Sequence, residues 1–213
     1  MEKKLKVIVV DDHDMFRKGV KVLLSKNKKA EVIGEASNGK EFLDIIDKLD
    51  PDIVLMDISM PVLDGIEATR QAIQMKPDLK ILTLSMFGDE EYYYKMIQAG
   101  VRGFILKSAG IDELEYGIDQ VAGGSVYFSK ELLDIVKQNI KKSETCNEIE
   151  GLTPRELKFL KSLVLNLSDS DIAHEMNETV ESIHELRLEL VKKTGSTNTS
   201  GLIMFAIKNK IVI

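Results

Sequence analysis

The sequence predicts a doubly wound α/β domain built on a five-stranded parallel sheet, followed by a small all-α domain. Three observations predict this. Over the first 125 residues, five short apolar runs each precede an amphipathic stretch. Those runs are continuous rather than alternating, as expected of strands buried on both faces. From Gly151 onward the apolar spacing is helical throughout.

The elements follow in order. Leu5–Val10 is a buried strand ending in acids, and Met15–Ser25 a helix with Phe16, Val20, Leu23 and Leu24 on one side. Glu31–Ala36 is the second strand and Gly39–Leu49 the second helix. Asp52–Asp57 is the third strand, opened by Pro51, with a helix over Asp64–Met75. Leu79–Ser85 is a strand and Asp89–Ala99 a helix. Arg102–Leu106 is the fifth strand and Ile111–Ala122 the fifth helix. Gly123-Gly124-Ser125 breaks the pattern. The spacing predicts a connecting helix over Ser129–Ile140 and a polar linker at Lys141–Thr145, so that 126–149 joins the two domains.

In the all-α part, Thr153-Pro154-Arg155-Glu156 is a capping box with proline at the first helical position. A short helix spans Asp169–Met176, and Asn177-Glu178 makes a turn. Thr179 caps a longer helix to Thr194, which Gly195 stops, and a last helix covers Ser200–Lys208. A short helix, a tight turn and a longer helix form a helix-turn-helix. Residues 150–213 offer no nucleophile–base pair and no metal cluster, which excludes a catalytic output domain.

Composition narrows the setting. With 44% hydrophobic and 30% charged residues the chain reads as a soluble globular protein. No apolar run approaches a membrane span, and the charged N-terminus does not fit a secretory signal. The lone Cys146 leaves no intramolecular disulfide and fits a reducing cytoplasm. From Gly151 to Ile213 eight basic residues cancel eight acidic ones, so the first 150 residues carry the net charge of −6.

Strand C-terminal ends gather along one edge of such a sheet, and ligands bind there. Asp11 and Asp12 end the first strand, Asp57 the third and Ser85 the fourth, while Lys107 follows the fifth. Three clustered carboxylates repel one another and require a cation, and all-oxygen ligation suits Mg²⁺. Lys107 supplies a fixed positive charge and Ser85 a hydroxyl donor for an acyl phosphate on Asp57. His13, with no other histidine or cysteine nearby, reads as a strand-to-helix loop residue, and Met60 and Met86 read as packing residues.

The stretches Val9-Val10-Asp11-Asp12-His13, Leu55-Met56-Asp57-Ile58-Ser59-Met60-Pro61, Leu84-Ser85-Met86 and Phe104-Ile105-Leu106-Lys107 make residues 1–125 resemble a response-regulator receiver domain, a flavodoxin-like fold. The resemblance implies phosphorylation of Asp57 by a sensor histidine kinase. It also implies Mg²⁺ held by Asp11, Asp12, Asp57 and the Ser59 backbone carbonyl, and a coupled shift of Ser85 and Phe104. Many receivers carry proline after the lysine; here Ser108 follows.

Leu152-Thr153-Pro154-Arg155-Glu156, Leu167–Ala173 and Thr179–Gly195 resemble the LuxR-type output domain of the NarL/FixJ class, and Ala122-Gly123-Gly124-Ser125 fits the same class. That resemblance implies a transcription regulator that binds DNA as a dimer through its second helix, the last helix contributing to dimers. Either part of Leu202, Ile203, Met204 or Phe205 stays free for a partner, or the helix is wholly buried in its own domain.

The departures fall where DNA would lie. Ile183, Leu190 and Thr194 are expected toward the core, flanked by Val180 and Leu186. Glu181, Glu185, Leu188, Glu189 and Lys192 are then expected outward, and Ser170 stands where the family often has lysine. A phosphate-facing surface should be basic. The candidates for DNA contact are His184, Glu185, Arg187, Leu188, Lys192 and Lys193, with Arg187 at the edge of the core face. Two readings stay open: a DNA-binding regulator, or a receiver whose degenerate helical domain works through protein contacts.

Overall fold

The computed structural model describes residues 4–27, 30–86, 90–130, 133, 151–209 and 211. The chain divides into two compact units, Met1–Ser129 and Lys130–Ile213. Most of the connecting helix expected over Ser129–Ile140, the linker Lys141–Thr145 and Cys146 lie outside the described residues.

The first unit alternates strand and helix: β1 (Leu5–Val10), α1 (Asp14–Asn27), β2 (Ala30–Ala36), α2 (Gly39–Ile46), β3 (Ile53–Asp57), α3 (Gly65–Met75), β4 (Ile81–Ser85), α4 (Glu90–Ala99), β5 (Gly103–Leu106) and α5 (Ile111–Ala122). All pairings are parallel, and with a short further strand β6 (Tyr127–Phe128) the sheet order is β2-β1-β3-β4-β5-β6. The parallel α/β fold is as the sequence predicts, but the sheet has six strands, not five. β6 (Tyr127–Phe128) pairs with β5, Gly103 opposite Tyr127 and Phe104 opposite Phe128. The first unit therefore runs through Ser129, past the expected boundary at 125. Gly103 permits this edge, because a Cβ there would sit 2.3 Å from the Tyr127 carbonyl oxygen.

Strand residues alternate between two buried layers. Val7, Val9, Leu55, Leu82, Leu84 and Ile105 share a core with Val20 and Leu24 of α1 and with Leu114, Ile118 and Val121 of α5. Ile8, Val10, Val54 and Met56 point to the other face and are equally buried, as are Phe42 and Ile46 of α2 and Ala68 and Ala72 of α3. Asn38 and Asp64 cap α2 and α3 by accepting from the backbone N–H of Glu41 and Glu67.

The second unit holds α6 (Pro154–Val164), α7 (Asp169–Met176), α8 (Val180–Thr194) and α9 (Thr199–Lys208). Thr153 and Glu156 form the expected capping box on α6, and Ser168 with Asp171 form another on α7. Asn177 and Gly195, both left-handed, end α7 and α8. Phe159, Leu160, Ile172, Ile183, Leu186, Leu190, Leu202 and Ile203 make the core. One expectation fails here: Val180 is 46% exposed rather than flanking the core. Arg187, expected at the edge of the core face, is buried there and paired with Asp169. In the last helix Leu202, Ile203 and Met204 are buried and Phe205 is half-buried, so the part left free is small. α9 packs on α6 and α8, which accounts for its apolar character on more than one side. No helix among the described residues is long and apolar enough to cross a membrane.

Candidate functional site

In the strand order of the first unit, β1 and β3 are neighbours, the connection from β1 to β2 and that from β3 to β4 run in opposite directions, and a crevice opens between them at the strands' C-terminal ends. Asp11 and Asp12 follow β1 there, and Asp57 is the last residue of β3, next to it in register. Ser85 ends β4, and Lys107 follows β5 on the same edge. Distant parts of the sequence thus converge through sheet topology alone.

Lys107 lies between two of the acids. Its Nζ is 2.7 Å from Asp11 Oδ2 and 2.8 Å from Asp57 Oδ2, with its side chain 4% exposed. The Phe16 ring covers that ammonium, its centroid 5.0 Å away. Asp57 Oδ1 accepts from the Ile58 backbone N–H at 2.8 Å. Burial is the largest influence on Asp57 and raises its pKa. Lys107 and the Ile58 N–H pull the other way, while Asp11 adds to the rise. One buried ammonium does not offset so many carboxylates, and a cation at this edge would relieve the excess negative charge. The donor set fits one: single ligand atoms of Asp11, Asp12, His13 and Asp57 all lie within 4.8 Å of one another.

Ser85 is buried beside this pocket, and its carbonyl accepts from the Lys107 N–H at 2.7 Å, fixing the turn that delivers the lysine. Phe104 is buried in an aromatic row, edge-on to Tyr93 at 5.4 Å and stacked on Phe128 of β6 at 5.7 Å. Ser59 lies exposed in the loop after β3. Met60 is buried as a packing residue, whereas Met86 is 63% exposed and packs little.

Three residues escaped sequence reading. Arg17 donates through Nη1 to the Asp11 carbonyl at 2.5 Å and through Nη2 to Asp14, clamping the loop that carries the acids. A helical arginine near a helix start looks like any solvated cation, so no sequence signal marks it. Phe16 read only as helix core. Gly65, the first residue of α3, is there for a steric reason, since a Cβ would lie 1.9 Å from the Asp57 carbonyl oxygen.

The receiver-domain family model, described as "Response regulator receiver domain", matches residues 7–119. The transcriptional regulatory protein MctR of Rhizobium johnstonii is 34% identical over 210 residues, spanning 98% of this chain and 96% of that one. The chain belongs to the response regulators, in their NarL/FixJ class. A crystal structure of a LuxR-family two-component response regulator from Aurantimonas sp. is 29% identical with a TM-score of 0.61, covering 65% of this response regulator and 99% of that chain. RcsB from Salmonella enterica serovar Typhimurium, solved bound to promoter rprA, shares the fold over 98% of this chain and 100% of its own, at 21% identity and a TM-score of 0.58.

The residues singled out on α8 of this response regulator do not form one surface. His184, Glu185, Leu188 and Lys192 are exposed, Leu188 by 50%. Arg187 is withdrawn: its guanidinium bonds Asp169 and lies 5.6 Å from the Phe159 ring centroid. As a DNA-contact candidate it is therefore corrected to a core residue. Lys193 reaches back to the capping box and donates to both oxygens of Glu156 at 2.8 Å. Glu181, Glu185 and Glu189 are all exposed. Arg155 is occupied as well, bonded to Glu178 at 2.8 and 2.6 Å.

Proposed function

We propose that this response regulator accepts a phosphoryl group on Asp57 from a sensor histidine kinase, and that phosphorylation controls a dimeric, DNA-binding LuxR-type domain at residues 150–213. The observation that carries the reading is the buried bridge of Lys107 to both Asp11 and Asp57 at the crevice of a parallel sheet. An Asp57 carboxylate oxygen forms a bond to phosphorus as the bond from phosphorus to the kinase imidazole nitrogen breaks, the electron pair leaving with the nitrogen. Lys107 is positioned to pair with oxygens of the resulting acyl phosphate, and the Ser85 hydroxyl to donate to one of them. Asp11, Asp12, Asp57 and the Ser59 carbonyl would hold Mg²⁺, which when bound neutralises charge on the transferring oxygens. The chain's own chemistry is then this transfer and the hydrolysis of the acyl phosphate, in which water takes the phosphoryl group and the Asp57 carboxylate is released. The cytoplasm, where kinase domains and DNA are met together, is the compartment that suits it.

For the helical domain, the MctR relationship supports transcription regulation, and the RcsB chain of like fold is one that binds a promoter. Lys192 and His184 are the exposed groups of α8 suited to phosphate oxygens. A second reading, that the domain works through protein contacts, is favoured by one specific observation. Glu181, Glu185 and Glu189 line the exposed side of α8, while Arg187 and Lys193 are occupied within the domain. The test is a salt-dependent titration of phosphorylated protein on its own promoter region and on random DNA, repeated with the three glutamates changed to glutamine. On the DNA reading the triple variant binds several-fold more tightly with a steeper salt slope. Absence of binding by both proteins favours the protein-contact reading.

A further inference from the structure

His13 has no part in the phosphoryl chemistry above, yet its ring is held at the mouth of the pocket. Nδ1 lies 2.9 Å from Asp12 Oδ1 and 3.2 Å from Asp11 Oδ1, although the side chain is 64% exposed. The His13 backbone N–H donates to the same Asp11 oxygen at 2.8 Å, so the chain folds back on the acid and brings the imidazole with it. Three consecutive residues thereby turn ligand atoms toward one point that Asp57 shares.

Both Nδ1 contacts are hydrogen-bond distances, and the same spacing also matches that of a coordination sphere. With metal–ligand bonds of about 2.1 Å in an octahedron, adjacent ligands stand about 3 Å apart and opposite ones about 4.2 Å. Both Nδ1 distances match adjacent positions, and the 4.8 Å spread of the whole set closes to the opposite spacing with a small contraction. A nitrogen in the set changes which ion it prefers. Carboxylates, carbonyls and water suit Mg²⁺, whereas imidazole raises affinity for later first-row ions such as Ni²⁺ and Zn²⁺.

We propose that His13 is a metal ligand through Nδ1, giving the Asp11–Asp12–Asp57 pocket a nitrogen-containing set that takes late first-row divalent ions in preference to Mg²⁺. This rests on the reading of the pocket as a cation site. A pocket of this kind exchanges Mg²⁺ for a competing ion when that ion is abundant, and the response of Asp57 to phosphodonors then depends on which ion is present.

The chain has three histidines, and the other two, His174 and His184, belong to the second unit. The test therefore uses the full chain carrying His174→Ala, His184→Ala and Cys146→Ser, so that His13 is its only imidazole. Ni²⁺ and Mg²⁺ affinities are measured by calorimetric titration with and without His13→Ala, and Mn²⁺ bound to each protein is probed by pulsed electron paramagnetic resonance for coupling to an imidazole nitrogen. The inference predicts that His13→Ala weakens Ni²⁺ roughly tenfold or more, changes Mg²⁺ by less than about twofold, and removes the nitrogen coupling. Equal losses for both ions, or no loss for Ni²⁺ and no nitrogen coupling at all, would show that His13 only steadies the acids and would overturn it. If Mg²⁺ binding is undetectable or survives Asp57→Asn with Asp11→Asn, the pocket reading itself fails, an outcome distinct from loss of the His13 role alone.

Discussion

The pocket at the sheet edge and the outer side of α8 are both rich in acids, and they behave differently because of what surrounds them. At the edge, Asp11 and Asp57 are buried and share one ammonium, so each charge is felt by the others. On α8, Glu181, Glu185 and Glu189 stand in solvent, where screening leaves them nearly independent. A set of carboxylates becomes a chemical site when topology forces it together out of water; spread along a helix, the same residues only set the sign of a surface. The two units also differ in how they hold charge: the second pairs its buried Arg187 and Glu156 with partners nearer the surface, while the first buries both members of its Lys107–Asp11 and Lys107–Asp57 pairs.

The largest effect on that comparison should come from the apolar core of the second unit. Ile203 is fully buried in α9, so Ile203→Glu forces a carboxylate into the core and should cost about 4 kcal/mol or more. Denaturation followed by circular dichroism should show loss of the helical unit's transition. A folded variant of unchanged stability would mean that α9 is less central than its burial indicates, and would reopen it as a dimer surface.

Lys107→Ala addresses the buried charges. Leaving Asp11 and Asp57 without their ammonium should destabilise the first unit by about 3 kcal/mol in metal-free buffer. Part of the loss should return on adding Mg²⁺, which a urea titration with and without the ion would show. An equal loss in both conditions would separate the lysine from the cation site.

The smallest effect should come from the surface pair Arg155–Glu178. The guanidinium, and then the Ser182 hydroxyl, lower the Glu178 pKa from 4.5 to about 2. A depressed carboxylate pKa stabilises the fold above the unfolded value, and that contribution disappears as pH falls through the folded one. Arg155→Ala should therefore cost about 1 kcal/mol at neutral pH, the exposure of Arg155 discounting the rest. The difference from wild type should fade between pH 4.5 and about 2. Thermal melts across that range check it, and a difference that persists at the acid end would assign the cost to packing.

How much of this was legible depended on whether a feature is encoded locally. Apolar runs of strand length gave the parallel sheet, and acids at strand ends gave the pocket, because sheet topology brings those ends together wherever they occur in sequence. β6 was not legible: Tyr127-Phe128 is a two-residue edge whose partner is admitted only by the missing side chain of Gly103. Helical periodicity placed Ile183, Leu186 and Leu190 inward, as found, but left Arg187 at the edge. Its burial depends on Asp169 and the Phe159 ring, groups contributed by other helices. Arg17 clamps Asp11 through a backbone carbonyl, an acceptor that no side-chain pattern reveals.

As the proposed phosphoacceptor of a cation-dependent pocket, Asp57 should take up phosphate only when that pocket is loaded. The direct measurement is intact mass of the full chain after incubation with acetyl phosphate, with Mg²⁺ or with a chelator, for wild type and Asp57→Ala. One added phosphate is expected on wild type with Mg²⁺, and none on Asp57→Ala or in the presence of chelator. Full labelling of the chelated protein, or undiminished labelling of the alanine variant, would show that Asp57 is not a cation-dependent phosphoacceptor.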